Sequence, residues 1–407
     1  MEESERTNAA PEVLMLTHER SSALRLFALV FAVVAGLAML LAAPAYAQEY
    51  NFTKVADSAE DGFAPFSFEC TSINTRGDVA FRAGRLAADG FNTVDGIYRA
   101  NADGSLTTIV EDEKQFDFIG RKPSMNDLGE VSFAARLDGG KKPDTESILR
   151  GSGKKPTTIA STADEFNFFG FDTSVNNSGV VAFKAELDGE FSFDEGLFSG
   201  QGGKSGITTH YLASTSDFDG NDSRPSINNV GDIAFEESIN FDDGIFVGRE
   251  GNFTPIAAPD PDVSVQEPVL NDVRTAAFER SFFEEANQEF VTEIVTGNGG
   301  PLTTFADTRS DFAFFGFRPP SLNNYGDVAF HATLDDFSTS GIFVGPNAVE
   351  DRVIATGDTL DGSTVQNLTF CEEGLGDSGE LAFTAQLEDP DSPEGFRMAV
   401  FRATPSL

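Results

Sequence analysis

Tryptophan is absent from this chain of 407 residues, histidine occurs three times and cysteine twice. Lysine and arginine number 28 against 66 aspartates and glutamates, a formal charge of -38. That shortage of positive charge excludes nucleic acid as a partner, because phosphates are held by Lys and Arg that displace counterions. It also disfavours anionic membrane surfaces. Few histidines, and no G-x-S-x-G elbow, zinc-ligand spacing or phosphate loop, leave little familiar catalytic machinery. Apolar runs of spanning length are confined to one, Leu26 to Ala43, so no later segment is expected to enter a bilayer.

That single run sets the N-terminus apart. Arg20 and Arg25 precede it and Ala45-Tyr46-Ala47 follows it, the layout of a secretory signal with an A-x-A cleavage site. Residues 1–47 are read as a signal peptide and 48–407 as the mature domain; an uncleaved signal anchor is the alternative. Export implies a secreted, periplasmic or cell-surface location, and an oxidising compartment. What the chain has in plenty is Gly (39) and Phe (40), with 40% hydrophobic residues, a globular composition able to fill a sizeable core.

One stretch recurs seven times. It reads SINTRGDVAF at Asn74, SMNDLGEVSF at Asn126, SVNNSGVVAF at Asn176, SINNVGDIAF at Asn228, VLNDVRTAAF at Asn271, SLNNYGDVAF at Asn323 and GLGDSGELAF at Gly376. A period of about 50 residues points to a propeller or a solenoid. Asn at the first position of a four-residue turn can bond its own backbone, and Gly at the fourth accepts positive φ. Hairpin turns are therefore expected from Asn74 to Gly77, Asn126 to Gly129, Asn176 to Gly179, Asn228 to Gly231 and Asn323 to Gly326. Arg274 and Gly376 break the pattern, so the fifth and seventh turns are expected to be looser. The V-A-F run that follows alternates large and small residues, as in a strand packed on both sides.

Each unit has four strands: a Phe-rich strand (A), the V-A-F strand (B), a G-I-F strand (C) and a Thr-rich strand such as LTTIV (D). The mature chain opens on a D strand, FTKVA at Phe52, and ends on a C strand, MAVFRA. Seven complete units exist only if the N-terminal strand joins the last one. That is the closure of a ring, for which a solenoid has no use. The expected fold is all-β: one seven-bladed β-propeller of four-stranded blades, closed by the N-terminal strand and monomeric.

These repeats resemble the bacterial NxxGxxAF tandem-repeat (choice-of-anchor) proteins over essentially the whole mature chain. The P-S-I-N-N-x-G-D-V-A-F layout, with Pro225 and Pro320 before the Ser, also resembles the TolB-type propeller repeat. That likeness implies that A is the innermost strand and that the protein is exported. It supplies no catalytic residues.

Cys70 and Cys371 hold nearly the same place in the first and seventh A strands, which adjoin in a closed ring. A disulfide is expected, with two buried free thiols as the alternative. Alternating strand direction puts the B-to-C and D-to-A connections on one face, and most carboxylates fall in them, so that face should be strongly negative. No cofactor is expected other than Ca²⁺. Its best ligand set is Asp217, Asp219 and Asn221, oxygen ligands on alternating residues, with Asp222 beside them, although Asp222 stands where an EF-hand needs Gly and Asn228 where it needs Glu. A second set is Asp188, Glu190, Asp194 and Glu195. The bland reading of both is a solvated acidic loop.

His331 and His210 sit at ordinary strand positions. Phe91, Phe191, Phe193 and Phe337 lie in B-to-C loops rather than in strands. The functional expectation is a non-catalytic binding or scaffold module that meets an extracellular protein or glycan through its acidic face. The alternative is a hydrolase or lyase acting on polysaccharide with carboxylates at the channel. A tight cluster of Asp or Glu with an Arg in the channel mouth would favour the enzyme, and an open acidic face the binder.

Overall fold

The computed structural model describes residues 48–406, except 88–91, 113–114, 141–142, 189–193, 204, 221–222 and 317. The signal-segment reading of 1–47 lies outside the described residues. Gln48–Leu407 is one compact unit. Its strands form seven antiparallel sheets in the order A-B-C-D. Blade 3 shows the plan: A is Phe166–Val175, B Val181–Leu187, C Asp194–Gly200 and D Ile207–Leu212. In blades 2, 5 and 6 the A strand is interrupted and pairs with B in two pieces.

The V-A-F run makes the contacts between blades. Val and Phe point to one neighbour and Ala to the other. Val79 and Phe81 of blade 1 pack with Ala382 of blade 7, Val131 and Phe133 of blade 2 with Ala80 of blade 1, and Val181 and Phe183 of blade 3 with Ala134 of blade 2. The same exchange continues around the ring. A small residue on one side lets the neighbouring Phe fill the gap, which is why the alternation repeats so strictly.

Tyr50–Asp57 supplies strand D of blade 7, pairing antiparallel with the C strand Phe396–Pro405. The ring thus closes as the strand count requires. The seam is reinforced at the axis, where Ile73 N–H donates to Glu373 O at 2.9 Å and a disulfide joins Cys70 to Cys371, with Cα atoms 5.6 Å apart. Further out, Thr71 Oγ1 donates to Ala382 O (2.8 Å) and Arg402 Nη1 to Gly77 O (2.8 Å). Among the described residues no helix is long and apolar enough to cross a membrane.

Candidate functional site in the central channel

The A strands line the axis, and the repeated motif cements them to one another. Each turn Asn has two tasks. Its Oδ1 accepts backbone N–H groups of its own turn, as when Asn126 Oδ1 takes Leu128 and Glu130 N–H at 3.0 Å each. Its Nδ2 reaches the backbone carbonyl of the Asn one blade on: Asn74 to Asn126 (3.4 Å), Asn126 to Asn176 (3.0 Å), Asn176 to Asn228 (3.1 Å), Asn228 to Asn271 (3.0 Å) and Asn271 to Asn323 (3.2 Å). Asn323 then reaches Gly376 O at 3.5 Å.

The motif Ser forms a second ring: Ser124 Oγ accepts Val175 N–H (3.0 Å), Ser174 accepts Ile227 N–H (3.1 Å) and Ser226 accepts Leu270 N–H (3.0 Å). The residue after Asn forms a third, with Asn177 Oδ1 accepting Asp127 N–H and Asn229 Oδ1 accepting Asn177 N–H, both at 2.8 Å. These turns enclose a cavity of about 170 Å³ at one end of the axis.

The five turns named from the sequence each close with a bond from the Gly N–H to the Asn carbonyl. Gly77 reaches Asn74, Gly129 reaches Asn126 and Gly179 reaches Asn176 at 2.9 Å, Gly231 reaches Asn228 at 3.1 Å, and Gly326 reaches Asn323 at 3.2 Å. All five glycines have positive φ, at 76°, 75°, 72°, 85° and 91° in chain order. The fifth and seventh turns are not looser, contrary to expectation. Arg274 N–H donates to Asn271 O (3.1 Å) and Gly379 N–H to Gly376 O (3.0 Å). Arg274 achieves this by adopting φ 64°.

Space separates the five glycines where φ does not, a difference the motif conceals. A Cβ on Gly129 would collide with the Arg99 guanidinium, which donates to the Gly129 carbonyl. Gly179 is crowded in the same way by Arg150, which donates to its carbonyl. Gly231 is less tight, with Arg249 Nη1 at 3.1 Å, and Gly326 has nothing within 4 Å of the same point.

Four residues before the turn Asn, the repeat varies: Cys70, Lys122, Asp172, Arg224, Glu267, Pro319 and Glu372. The charged members meet across the channel. Lys122 Nζ lies 2.8 Å from Asp172, 3.3 Å from Glu267 and 3.8 Å from Glu372. Arg224 lies 3.3 Å from Glu372, donates to Glu373, and its own N–H donates to Glu267 at 3.1 Å. Burial opposes charge on each of these groups, but the partners win. Lys122 and Arg224 are pushed up by the glutamates, and Glu372 is pulled down by Arg224 and Lys122. Lys122, Arg224 and Glu372 therefore favour their charged forms, each held by the others.

Lys122 and Glu267 also line a larger cavity of about 850 Å³. Arg318, His331, Glu236, Gln266 and Phe314 share it. His331 is held neutral, burial pushing its pKa down to about 4. His210 is a structural residue: Glu250 N–H donates to its Nδ1 (3.0 Å), so Nε2 bears the proton and donates to Ser199 Oγ (2.9 Å).

Of the first Ca²⁺ set, Asp217 and Asp219 are exposed, and Asp219 Oδ2 is used by the Phe241 N–H at 2.7 Å. Asn221 and Asp222 lie outside the described residues. Of the second set, Asp188 is exposed, Asp194 binds Ser214 through its N–H (3.0 Å) and Oγ (2.6 Å), and Glu195 Oε1 is buried; Glu190 is not described. Phe91, Phe191 and Phe193 are likewise outside the described residues, whereas Phe337 is 75% exposed.

Sequence reasoning missed the channel cluster and Phe241. The signal for the first was present, since aligning the repeats on Asn puts the charged residues in one column. For the second it was the two-residue hairpin Ile239–Asp242, in which Asn240 and Phe241 have φ 54° and 69°.

A family of unknown function, DUF7453, matches residues 269–406. No curated protein matches the chain. Among solved structures, one of two prolyl endopeptidases is 10% identical with a TM-score of 0.50, over 84% of this chain and 50% of that one. This chain thus spans half the length of that enzyme. The polysaccharide lyase Uly1 gives 11% and 0.48, over 84% and 91%. A TolB candidate from Agrobacterium tumefaciens gives 13% and 0.38, over 74% and 95%. At such identities the likeness is one of fold alone.

Proposed function

We propose that the protein is an exported, non-catalytic propeller of the NxxGxxAF kind that holds a basic protein surface against its loop face. One observation carries this reading. Phe241 is 91% exposed and sits at φ 69°, in the second place of a two-residue hairpin turn where Gly is favoured. A bulky residue held in that conformation costs roughly 1 to 3 kcal/mol, and no burial offsets it. Phe241 borders a groove of about 340 Å³ with Phe283, Phe290, Asp242, Asp243, Asp260 and Asp262. Among the described residues, none of these four aspartates pairs with a Lys or Arg. Aromatic faces beside uncompensated carboxylates suit Lys and Arg side chains. Phe337, φ 56° in the matching loop of blade 6, extends the pattern.

The channel cluster has the composition that would favour a hydrolase or lyase. Its most deeply buried carboxylate, Glu372, is held below the usual range by Arg224 and Lys122, so it is not poised to trade a proton near neutral pH. Ca²⁺ is no part of this reading, since Asp219, one of its two described candidates, already gives an oxygen to the Phe241 N–H.

The test is surface plasmon resonance against immobilised poly-L-lysine, comparing the native protein with Phe241→Gly/Phe337→Gly. The variant keeps the charge and relieves both turns. About tenfold weaker binding that persists at raised salt is expected; equal binding would sink the proposal.

A further inference from the structure

Arg318 is an anomaly in so acidic a chain. Among the described residues it forms no ion pair, and its hydrogen bond goes to a sulfur, from Nη1 to Cys70 Sγ at 2.9 Å. The other two cations of the channel wall, Lys122 and Arg224, each hold at least two carboxylates. Arg318 is half-buried and lines the 850 Å³ cavity at the channel mouth. A second loose end lies in the same wall. The Nε2 of His331 is buried with no hydrogen-bond partner, a state that costs roughly 1 to 3 kcal/mol. Gly316 keeps the ring in place, because a Cβ there would stand 2.9 Å from His331 Nδ1.

The remaining lining restricts the ligand. Glu236 and Glu267 share the wall with Lys122, which is already paired with Glu267, so the lining offers acceptors beside the guanidinium, and a bare anion such as phosphate would leave them unused. A molecule with one carboxylate and several hydroxyls meets each group in kind. The carboxylate forms the paired bonds that a guanidinium offers, and hydroxyls donate to the glutamates. A hydroxyl also satisfies His331 Nε2 in either tautomer. The Phe314 ring, 45% exposed, offers an apolar face to ring C–H groups.

We propose that the channel-mouth cavity binds a hexuronate, as a free sugar acid or as a residue of an acidic polysaccharide, with Arg318 holding its carboxylate. The site is separate from the Phe241 groove, and either can fail without the other. Calorimetric titration of the full protein with D-galacturonate, a tetragalacturonate, D-glucose and acetate tests it. Uronate, tetragalacturonate or both should bind at least about tenfold more tightly than glucose or acetate. Binding of the monomer marks the free acid as sufficient, and binding of the tetramer alone marks the polymer as the source.

Arg318→Gln should abolish that preference at unchanged Tm, whereas Arg76→Gln on the opposite face should not. If Arg318→Gln does not fold, Phe314→Ala provides the second arm, with several-fold weaker uronate binding expected. Acetate binding as tightly as uronate, no heat with either uronate at millimolar concentration, or equal losses in Arg318→Gln and Arg76→Gln would overturn the proposal.

Discussion

Gly376 interrupts a ring of side-chain amides. Six blades pass a hydrogen bond from Asn Nδ2 to the next turn, and the seventh has no side chain to send. A Cβ built on Gly376 meets nothing nearer than 3.7 Å, and at 3.8 Å lies the carbonyl oxygen of Asn74, the acceptor an asparagine would need. Gly376→Asn should therefore close the ring and stabilise the protein by about 1 kcal/mol, read as a rise in Tm over Gly376→Ala. A fall below the alanine variant would mean that the amides do not contribute. Glu279 offers the opposite case. Burial alone pushes its carboxyl up to about 7, so the folded state holds a proton that the unfolded chain releases near the ordinary glutamate value. Stability from this group is full below about pH 4.3 and falls as pH rises toward 7. Glu279→Gln should remove that decline, gaining up to roughly 3 kcal/mol at neutral pH; denaturant melts of both proteins at pH 5 and pH 8, showing the same pH dependence, would refute the assignment.

At the scale of strands, the seam between blades 1 and 7 is where the ring is assembled. The disulfide closes a loop with a sequence separation of 301. On a chain-entropy treatment, removing it costs about 6 kcal/mol. Cys70→Ser should lower the melting temperature by as much as reductant does to the native protein, and reductant should leave the variant unchanged. This architecture was legible because it rests on periodicities. V-A-F alternation gives strand faces, N-x-x-G gives turns, and an opening D strand with a closing C strand gives a clasp. The site was less legible for a physical reason. Lys122, Arg224 and Glu372 act only because they occupy one level of the channel, and their column in the repeat varies where the motif is constant. The second task of each Asn was hidden as well, since a bond to a carbonyl some 50 residues on exists only once the ring is closed. Phe337 was marked by its loop, while Phe241 was hidden by a hairpin so short that it looked like strand.

Across the whole molecule, charge is sorted by face. Arg249 and Arg402 on the N-x-x-G side donate to turn carbonyls at 2.7 and 2.8 Å, as Arg99 and Arg150 also do, while the aspartates of the B-to-C and D-to-A loops crowd the other side. Cations stand on that side too, Arg136, Arg280, Arg309 and Arg397 among them, but with 66 acids to 28 bases in the chain they are outnumbered, so the folded disc works against its own repulsion. Screening should relieve it: at 0.1 M salt the Debye length is about 10 Å, shorter than the span of the face. Raising NaCl should therefore raise Tm, and CaCl₂ at equal ionic strength should do no more, with EDTA leaving the melt unchanged. The reasoning is local as well as global. A Ca²⁺ cage needs six or more oxygens, whereas Asp219 already gives one of its oxygens to the Phe241 backbone. A rise with Ca²⁺ that Na⁺ cannot reproduce would restore the acidic loops as metal sites. It would also make the metal part of the binding surface, since the Asp219 that would hold it also holds the turn displaying Phe241.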